Sequence, residues 1–135
     1  MIDVFGIFTV YSNGEKIAQI KNKITDGGLS VIAKRVGGVA ASELTQLAAG
    51  SDGTAVTGTE TELGAEFGRV SKTAQSVAGP ILSVSFVALE GELNGNIQEL
   101  GIYAGDVLFN RVLWSHAKTN AEQLTFNYTL TVGRA

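Results

Sequence analysis

Residues 124–132 read LTFNYTLTV and alternate between apolar and polar side chains along their whole length. A period of two over such a run is typical of a β-strand with one buried side and one solvent-exposed side. The exposed side would carry threonines and one asparagine. The side predicted to face the core carries Leu124, Phe126, Tyr128, Leu130 and Val132.

Three further strands are predicted upstream of this stretch. They occupy residues 81–90 (ILSVSFVALE), the segment NGNIQELGIYAG from residue 94, and the segment DVLFNRVLWSHAKT from residue 106. Gly105 and Asp106 supply the tight turn between the last two. On the last of these strands, Leu108, Val112 and Trp114 are expected to share one face. The predicted core residues in these strands are Leu82, Val84, Phe86, Leu100, Ile102 and Trp114.

In the first half of the chain, the spacing of apolar residues changes once, from that of strands to that of a helix. Residues 2–11 are rich in β-branched and aromatic side chains, and Asn13-Gly14 is a strong hairpin signal before a returning strand that ends at residue 21. Apolar side chains at Leu29, Ile32, Ala33 and Val36 then recur at helical spacing, which predicts a helix over residues 26–36 capped by Thr25 or Asp26.

The segments between this helix and the strand at residue 81 are less regular. Residues 44–49 are predicted to form a short strand, residues 50–59 a glycine-rich loop, and residues 59–67 a capped helical turn. Residues 67–77 are predicted to form a strand of mixed polarity. Together these elements predict a mainly β protein, an antiparallel β-sandwich with one packed α-helix near residues 26–36, in a single domain over residues 1–135.

The N-terminal hairpin of residues 1–21 is a candidate for subunit contacts. Its first strand could add to the sheet edge of a neighbouring molecule, or it could be an internal strand of the same domain. The candidate interface residues are Ile2, Val4, Phe5, Ile7 and Phe8.

Composition limits the function classes. The chain has no cysteine, which excludes thiol chemistry and cysteine-ligated metals, and its net charge of −3 comes with scattered lysines and arginines. We therefore expect no nucleic-acid partner. No apolar run reaches the length of a membrane span, and the first residues lack the basic segment of a signal peptide. Charged residues form only 17% of the chain, which favours a subunit packed in a larger assembly, although many β-proteins share this composition.

No catalytic constellation emerges from the residue inventory. The single histidine, His116, follows Ser115 directly, and neighbours on a strand point to opposite faces. The pair is therefore not a nucleophile and its base. The acidic residues Asp52, Glu60, Glu62 and Glu66 lie close in sequence but match no calcium-binding loop.

Two other sets of residues are candidates for sites. Glu90, Glu92 and Glu99 could pair as acid and base, and Tyr103 with Trp114 could form an aromatic platform for a sugar. Nothing places the carboxylates in a cleft, and Trp114 shares its predicted face with apolar neighbours. The sequence thus predicts no catalytic residue, no cofactor and no metal site.

Several stretches, taken in order, resemble a family of small virion proteins of tailed bacteriophages. The resemblance covers about residues 20–132 and is carried by Gly27-Gly28-Leu29 in the helix, residues 48–53 with Leu63 in the loop, and the closing strand Leu124–Val132. The loop departs from the family pattern because it lacks a proline. A further stretch carries Asn94, Gly95, Ile97, Glu99, Gly101 and Ile102.

The resemblance implies a non-enzymatic virion structural protein, made in the host cytoplasm, that assembles as an oligomer in a tail, collar or baseplate fibre. Its expected partners are further copies of itself, for example in a trimer, and other virion proteins. No membrane, nucleic-acid or small-molecule partner is expected. The alternatives are a capsid decoration protein on the phage head and a glycan-binding module.

Overall fold

The computed structural model describes residues 2–134, except for the side chain of Ile2. Within that range the chain is mainly β, as predicted. Its elements are β1 (Ile2–Ser12), β2 (Glu15–Ile24), α1 (Asp26–Val36), β3 (Gln46–Gly50), β4 (Glu66–Ala78), β5 (Ile81–Ala88), β6 (Gly95–Ala104), β7 (Val107–Leu108), β8 (Asn110–Lys118) and β9 (Leu124–Arg134).

The strands form a closed antiparallel barrel of eight strands, so the predicted sandwich is wrong. The order around the barrel is β3-β4-β5-β9-β1-β2-β8-β6, and β6 pairs back onto β3 through residues 99–103. The two-residue strand β7 pairs with the end of β6. Sandwiches and barrels share the same alternation of inward and outward side chains, so the strand pattern alone did not distinguish them.

The barrel interior holds most of the predicted core. Leu82 and Trp114 are half-buried against that core. Val132 is 41% exposed and lies outside it, because β9 continues past the barrel interior and the alternation of its sequence continues with it. The predicted core residues that are buried are Val84, Phe86, Leu100, Ile102, Leu124, Phe126, Tyr128 and Leu130.

Leu108 does not share a face with Val112 and Trp114. It belongs to a small outer cluster, whereas Phe109, Val112 and Trp114 pack on the barrel core. The strand assignment breaks at Phe109, between β7 and β8. An irregularity of one residue reverses the facing of every side chain beyond it, which is why a single continuous period misassigned Leu108.

β1 is an internal strand, which is one of the two alternatives left open by its sequence, so its edge is not available to a neighbouring molecule. It pairs with β2 on one side and with β9 along its whole length on the other. Phe8 is fully buried in the core and Val4 packs against it, while Phe5 and Ile7 are half-buried. The predicted side-chain contacts of Ile2 lie outside the described residues.

The predicted helix is confirmed at residues 26–36. The Thr25 hydroxyl caps it by accepting a hydrogen bond from the Gly28 amide at 3.0 Å, and it donates to the Leu108 carbonyl at 2.5 Å. The predicted helical turn at residues 59–67 is wrong, because residues 59–65 form bends and turns before β4 begins. Among residues 2–134, no helix is both long enough and apolar enough to cross a membrane.

Candidate functional site

A loop of residues 51–65 packs against the outside of the barrel. Leu63 forms a small buried cluster there with Ala48, Tyr103 and Leu108, which come from β3, β6 and β7. The Leu63 amide donates to the Tyr103 hydroxyl at 3.3 Å, and the Ser51 amide donates to the Ala65 carbonyl at 3.0 Å. This glycine-rich stretch is therefore held by specific contacts with the barrel.

Glu99 holds both ends of the loop. Its carboxylate is fully buried and accepts hydrogen bonds from the backbone amides of Asp52 at 3.1 Å, Gly64 at 2.9 Å and Ala65 at 2.8 Å. Arg111 Nε donates to the same carboxylate at 2.9 Å. Four donors thus replace the water that the buried carboxylate has lost.

Arg111 completes this network from β8. Its guanidinium donates to the carbonyls of Thr54 at 2.8 Å and Asp52 at 3.0 Å, and it lies 3.3 Å from a carboxylate oxygen of Glu60. Burial opposes the ionisation of Glu60. Hydrogen bonds from the Thr57 and Gly58 amides and the Thr57 hydroxyl outweigh burial and lower the pKa of Glu60 to about 2.

The other acidic residues of this region are engaged separately. Asp52 accepts hydrogen bonds from the amide and hydroxyl of Thr54, and Glu66 pairs with Arg69. Across residues 2–134, no group of three or more histidine and acidic side chains has an arrangement that could hold a metal ion.

The residues considered as acid–base or sugar sites do not come together. Glu99 is buried under the loop, whereas Glu92 accepts a hydrogen bond from the Leu89 amide and Glu90 is exposed. Tyr103 lies on the outer face of the barrel. The Arg69 guanidinium lies over the Tyr103 ring, 3.8 Å from the centre of that ring. Trp114 packs edge-on against Phe126 on the inner side. The two aromatic side chains therefore form no common platform.

His116 is part of a cluster between β8 and the turn that precedes β9. Its ring stacks on Trp114 at 4.8 Å, and its Nε2 lies 2.7 Å from a carboxylate oxygen of Glu122. The Ser12 hydroxyl donates to the other oxygen of Glu122. Burial opposes the ionisation of Glu122, but the hydrogen bonds from Ser12 and His116 lower its pKa. Ser115 is exposed and donates nothing to His116, as expected from neighbours on a strand.

An apolar groove of about 260 Å³ opens between α1 and the hairpin of β4 and β5. Val36 and Val77 at its border are 85% and 71% exposed, although both are large apolar side chains. Arg35, Glu43 and Gln75 supply polar groups at the groove. Its apolar lining is formed by Val31, Ile32, Val36, Leu44, Val77, Leu82, Phe109 and Leu130.

The end of β4 beside this groove has a free edge. β3 pairs with β4 only as far as Ser71, and the Lys72 amide makes the last contact, to the Thr45 carbonyl at 3.0 Å. Residues 73–78 are all exposed and pair with β5 alone. Within the described part of the chain, no further strand pairs with this edge.

The orientation of the backbone along that edge follows from the neighbouring ladders. The Val132 amide donates to the Pro80 carbonyl, so the even-numbered residues of β5 point to β9 and the odd-numbered ones point to β4. Ser83 and Ile81 therefore exchange hydrogen bonds with Ser76 and Ala78. By alternation, the amides and carbonyls of Gln75 and Val77 point to the free edge.

The groove and the free edge were not identified from the sequence. Residues 73–78 read TAQSVA, an uncharged segment without proline, and this is the available signal for an unprotected strand edge. This signal indicates an open edge only when the strands that pair with β4 are known. Comparisons with models of known protein families, with curated protein sequences and with solved structures found no match.

Proposed function

We propose that this chain is a non-enzymatic structural protein of a tailed-bacteriophage virion, which assembles as an oligomer in a tail, collar or baseplate fibre. The observation that carries the proposal is the open apolar groove between α1 and the β4–β5 hairpin. Large apolar side chains exposed around a groove are typical of surfaces that other proteins cover. In a virion, the covering surfaces would belong to further copies of the chain and to other virion proteins.

The sequence resemblance supports the same proposal, because its residues serve packing in this fold. A side chain at Gly28 would clash with the Phe109 carbonyl, and one at Gly101 would press on Leu63 and Leu108. Glu99 fastens the loop to the barrel. These residues build a scaffold with one firmly held loop, which is the use expected in a structural subunit.

The surface composition also fits an assembled subunit. The outer faces of β9 and β5 carry Thr125, Asn127, Thr129, Ser83 and Ser85, which are all uncharged. The Ser85 hydroxyl donates to the Asn127 side chain at 2.9 Å across the two strands. Uncharged, hydrogen-bonding sheet faces avoid the cost of burying charge when another protein covers them.

The test is to locate the chain in particles. Antibodies raised against the purified chain would be applied to virions from its source and imaged by electron microscopy with gold labels. The proposal expects labels at the tail, collar or baseplate. Labels on the head would instead support a capsid decoration protein, and particles without labels in any position would overturn the virion role.

A glycan array provides an independent check. The proposal expects no specific glycan binding by the purified chain, because Trp114 and Tyr103 do not form a joint surface. Strong and selective binding by a monomer would contradict a purely structural role and favour a glycan-binding module.

A further inference from the structure

We infer that the free edge of β4 is a self-association site, at which residues 74–78 of two copies of this chain pair as antiparallel strands about a two-fold axis. The inference goes beyond the proposed function, because it names the contact and its symmetry and does not require the chain to be part of a virion. It begins from an open strand edge of the barrel. β4 has no partner beside β5 from residue 73 to residue 78. β2 and β8 also pair only at residues 23–24 and 110–111, but the open part of β2 carries Glu15, Lys16 and Lys21, whereas the open part of β4 carries no charge.

The backbone groups at this edge are self-complementary. Only Gln75 and Val77 present both an amide and a carbonyl to the open side, as the ladders with β5 and β9 require. If the two-fold axis passes through Ser76, Gln75 of each copy lies opposite Val77 of the other. Each such pair exchanges two hydrogen bonds, so four backbone hydrogen bonds form and all four open residues are satisfied.

The side chains agree with this register. Ser76 lies opposite Ser76 of the second copy on the outer face, and Ala74 lies opposite Ala78, so small side chains meet at the centre of the contact. Lys72 lies beyond the paired segment and is already bound to Glu43 and Gln75. No like charges are therefore brought together along the paired residues, which would otherwise oppose association.

The groove supplies the apolar part of the contact. Val77 lies on the same face of its sheet as Leu82, and both line the groove together with residues of α1. A strand added beside β4, at the usual spacing of about 4.8 Å, would place Val77 of the second copy on that same face. The exposed apolar surface of Val77 and of the nearby Val36 would then be removed from water in both copies.

The edge also lacks the devices by which monomeric proteins prevent such pairing. Residues 74–78, which pair in the inferred dimer, contain no charge and no proline, and the irregularity of β4 lies just before them, between Lys72 and Ala74. Soluble monomers usually protect a strand edge with lysine, proline or a bulge. Self-pairing through this edge is therefore favoured by the small side chains of the segment and by its lack of charge and proline.

The experiment uses charge at the symmetry axis. Ser76 is exposed and faces outward, so Ser76→Lys and Ser76→Asp leave the isolated barrel intact but put like charges opposite each other in the dimer. Sedimentation equilibrium would be measured for the wild type, for each variant and for an equal mixture of the two. Asn120→Lys, at an exposed turn distant in sequence from β4, is the control for the change in net charge. Circular dichroism would verify folding.

We expect the wild type and Asn120→Lys to dimerise at concentrations on the order of 100 µM or below. Each Ser76 variant should dimerise at least about tenfold more weakly, and their mixture should recover a heterodimer. Hydrogen exchange at the Gln75 and Val77 amides should slow as the wild-type concentration rises. A monomeric wild type at about 1 mM would overturn the inference and leave the edge for an extended segment of another protein.

An oligomer that is equally stable in both Ser76 variants would also overturn it, because self-association would then use another surface. These results are separate from the location of the chain in particles. A chain found in virions but monomeric in solution would remove the dimer and keep the proposed function. A chain that dimerises in solution but is absent from virions would keep the dimer and remove the proposed function.

Discussion

Glu99 and Arg111 are opposite charges placed where water is excluded, and each is surrounded by hydrogen-bonding groups. Burying an ion pair costs free energy unless additional partners replace the lost water. Here the loop of residues 51–65 supplies backbone amides to Glu99 and backbone carbonyls to Arg111. The network therefore fixes the loop, and the loop in turn makes the buried pair tolerable.

Removing the positive partner should be costly. Arg111→Met should lower the free energy of unfolding by roughly 3–5 kcal/mol, because Glu99 would remain buried without its counter-ion. Urea denaturation measures the change, and limited proteolysis should show earlier cleavage within residues 51–65. Arg35→Met is the control, since Arg35 is an exposed side chain bound to the Ala41 carbonyl. A loss below about 1 kcal/mol for Arg111→Met would contradict a stabilising network.

Glu60 makes the stability of the loop dependent on pH. Its pKa in the folded chain is about 2, below its ordinary value of 4.5, so its contribution is present above pH 4.5 and is lost as the pH falls towards 2. Glu60→Gln should cost roughly 1–3 kcal/mol at pH 7, measured by urea denaturation. The difference in unfolding free energy between Glu60→Gln and the wild type should shrink as the pH falls from 4.5 to 2. The control Glu15→Gln, at an exposed turn, should change the free energy of unfolding little at any pH. A constant difference down to pH 2 would be inconsistent with the lowered pKa.

At the scale of elements, α1 depends on a close approach between its first turn and the strand region at Phe109. Gly28 is buried, and a Cβ at this position would clash with the Phe109 carbonyl oxygen. The glycine pair at the helix start weakens the helix when considered alone. It allows the helix to pack on the barrel, and the Thr25 side chain completes the junction through its bond to the Leu108 carbonyl.

Gly28→Ala should therefore destabilise the protein although alanine is the better helix former. We expect a loss of roughly 1–3 kcal/mol, because the strand backbone cannot move aside as a flexible side chain could. Thermal unfolding followed by circular dichroism measures it. Ser30→Ala, at an exposed position of the same helix, should be neutral or slightly stabilising. A stabilised Gly28→Ala variant would show that α1 does not pack as tightly as described.

The sequence predicted most helices and strands but did not predict which strands pair with one another. Periodicity predicted α1 and the long strands because each buries one face, and that burial leaves its period in the sequence. It did not predict that β3 and β6 pair, nor that the edge of β4 stays open, because pairing depends on contacts between distant segments. The loop of residues 51–65 was predicted as a loop, but its fastening to Glu99 and Arg111 has no periodic signature.

At the scale of the whole molecule, closure of the barrel makes β1 indispensable. It pairs with β2 on one side and with β9 on the other, and its inward side chains Phe8 and Val10 are fully buried. β1 is thus part of the barrel wall, in agreement with the internal strand that its sequence left as an alternative to subunit contacts. The exposed segment of β4, by contrast, can be altered with little effect on the interior.

Deletion of residues 1–11 should unfold the chain, because it removes core side chains and opens the barrel between β2 and β9. Circular dichroism and amide dispersion in NMR spectra would show the loss of structure. The double variant Phe5→Thr and Ile7→Thr, which changes only outward side chains of β1, should stay folded. A truncated chain that melts cooperatively would show that β1 is dispensable.

The pairing of β1 with β9 brings Ile2 opposite Arg134, so the first and last described residues occupy neighbouring strands. A short linker could therefore join these two ends without changing the order of strands around the barrel. A circular permutant in which a short linker joins these two residues, with new ends opened at the exposed Gly91, would keep every strand neighbour that the barrel now has. We therefore expect the barrel to tolerate circular permutation.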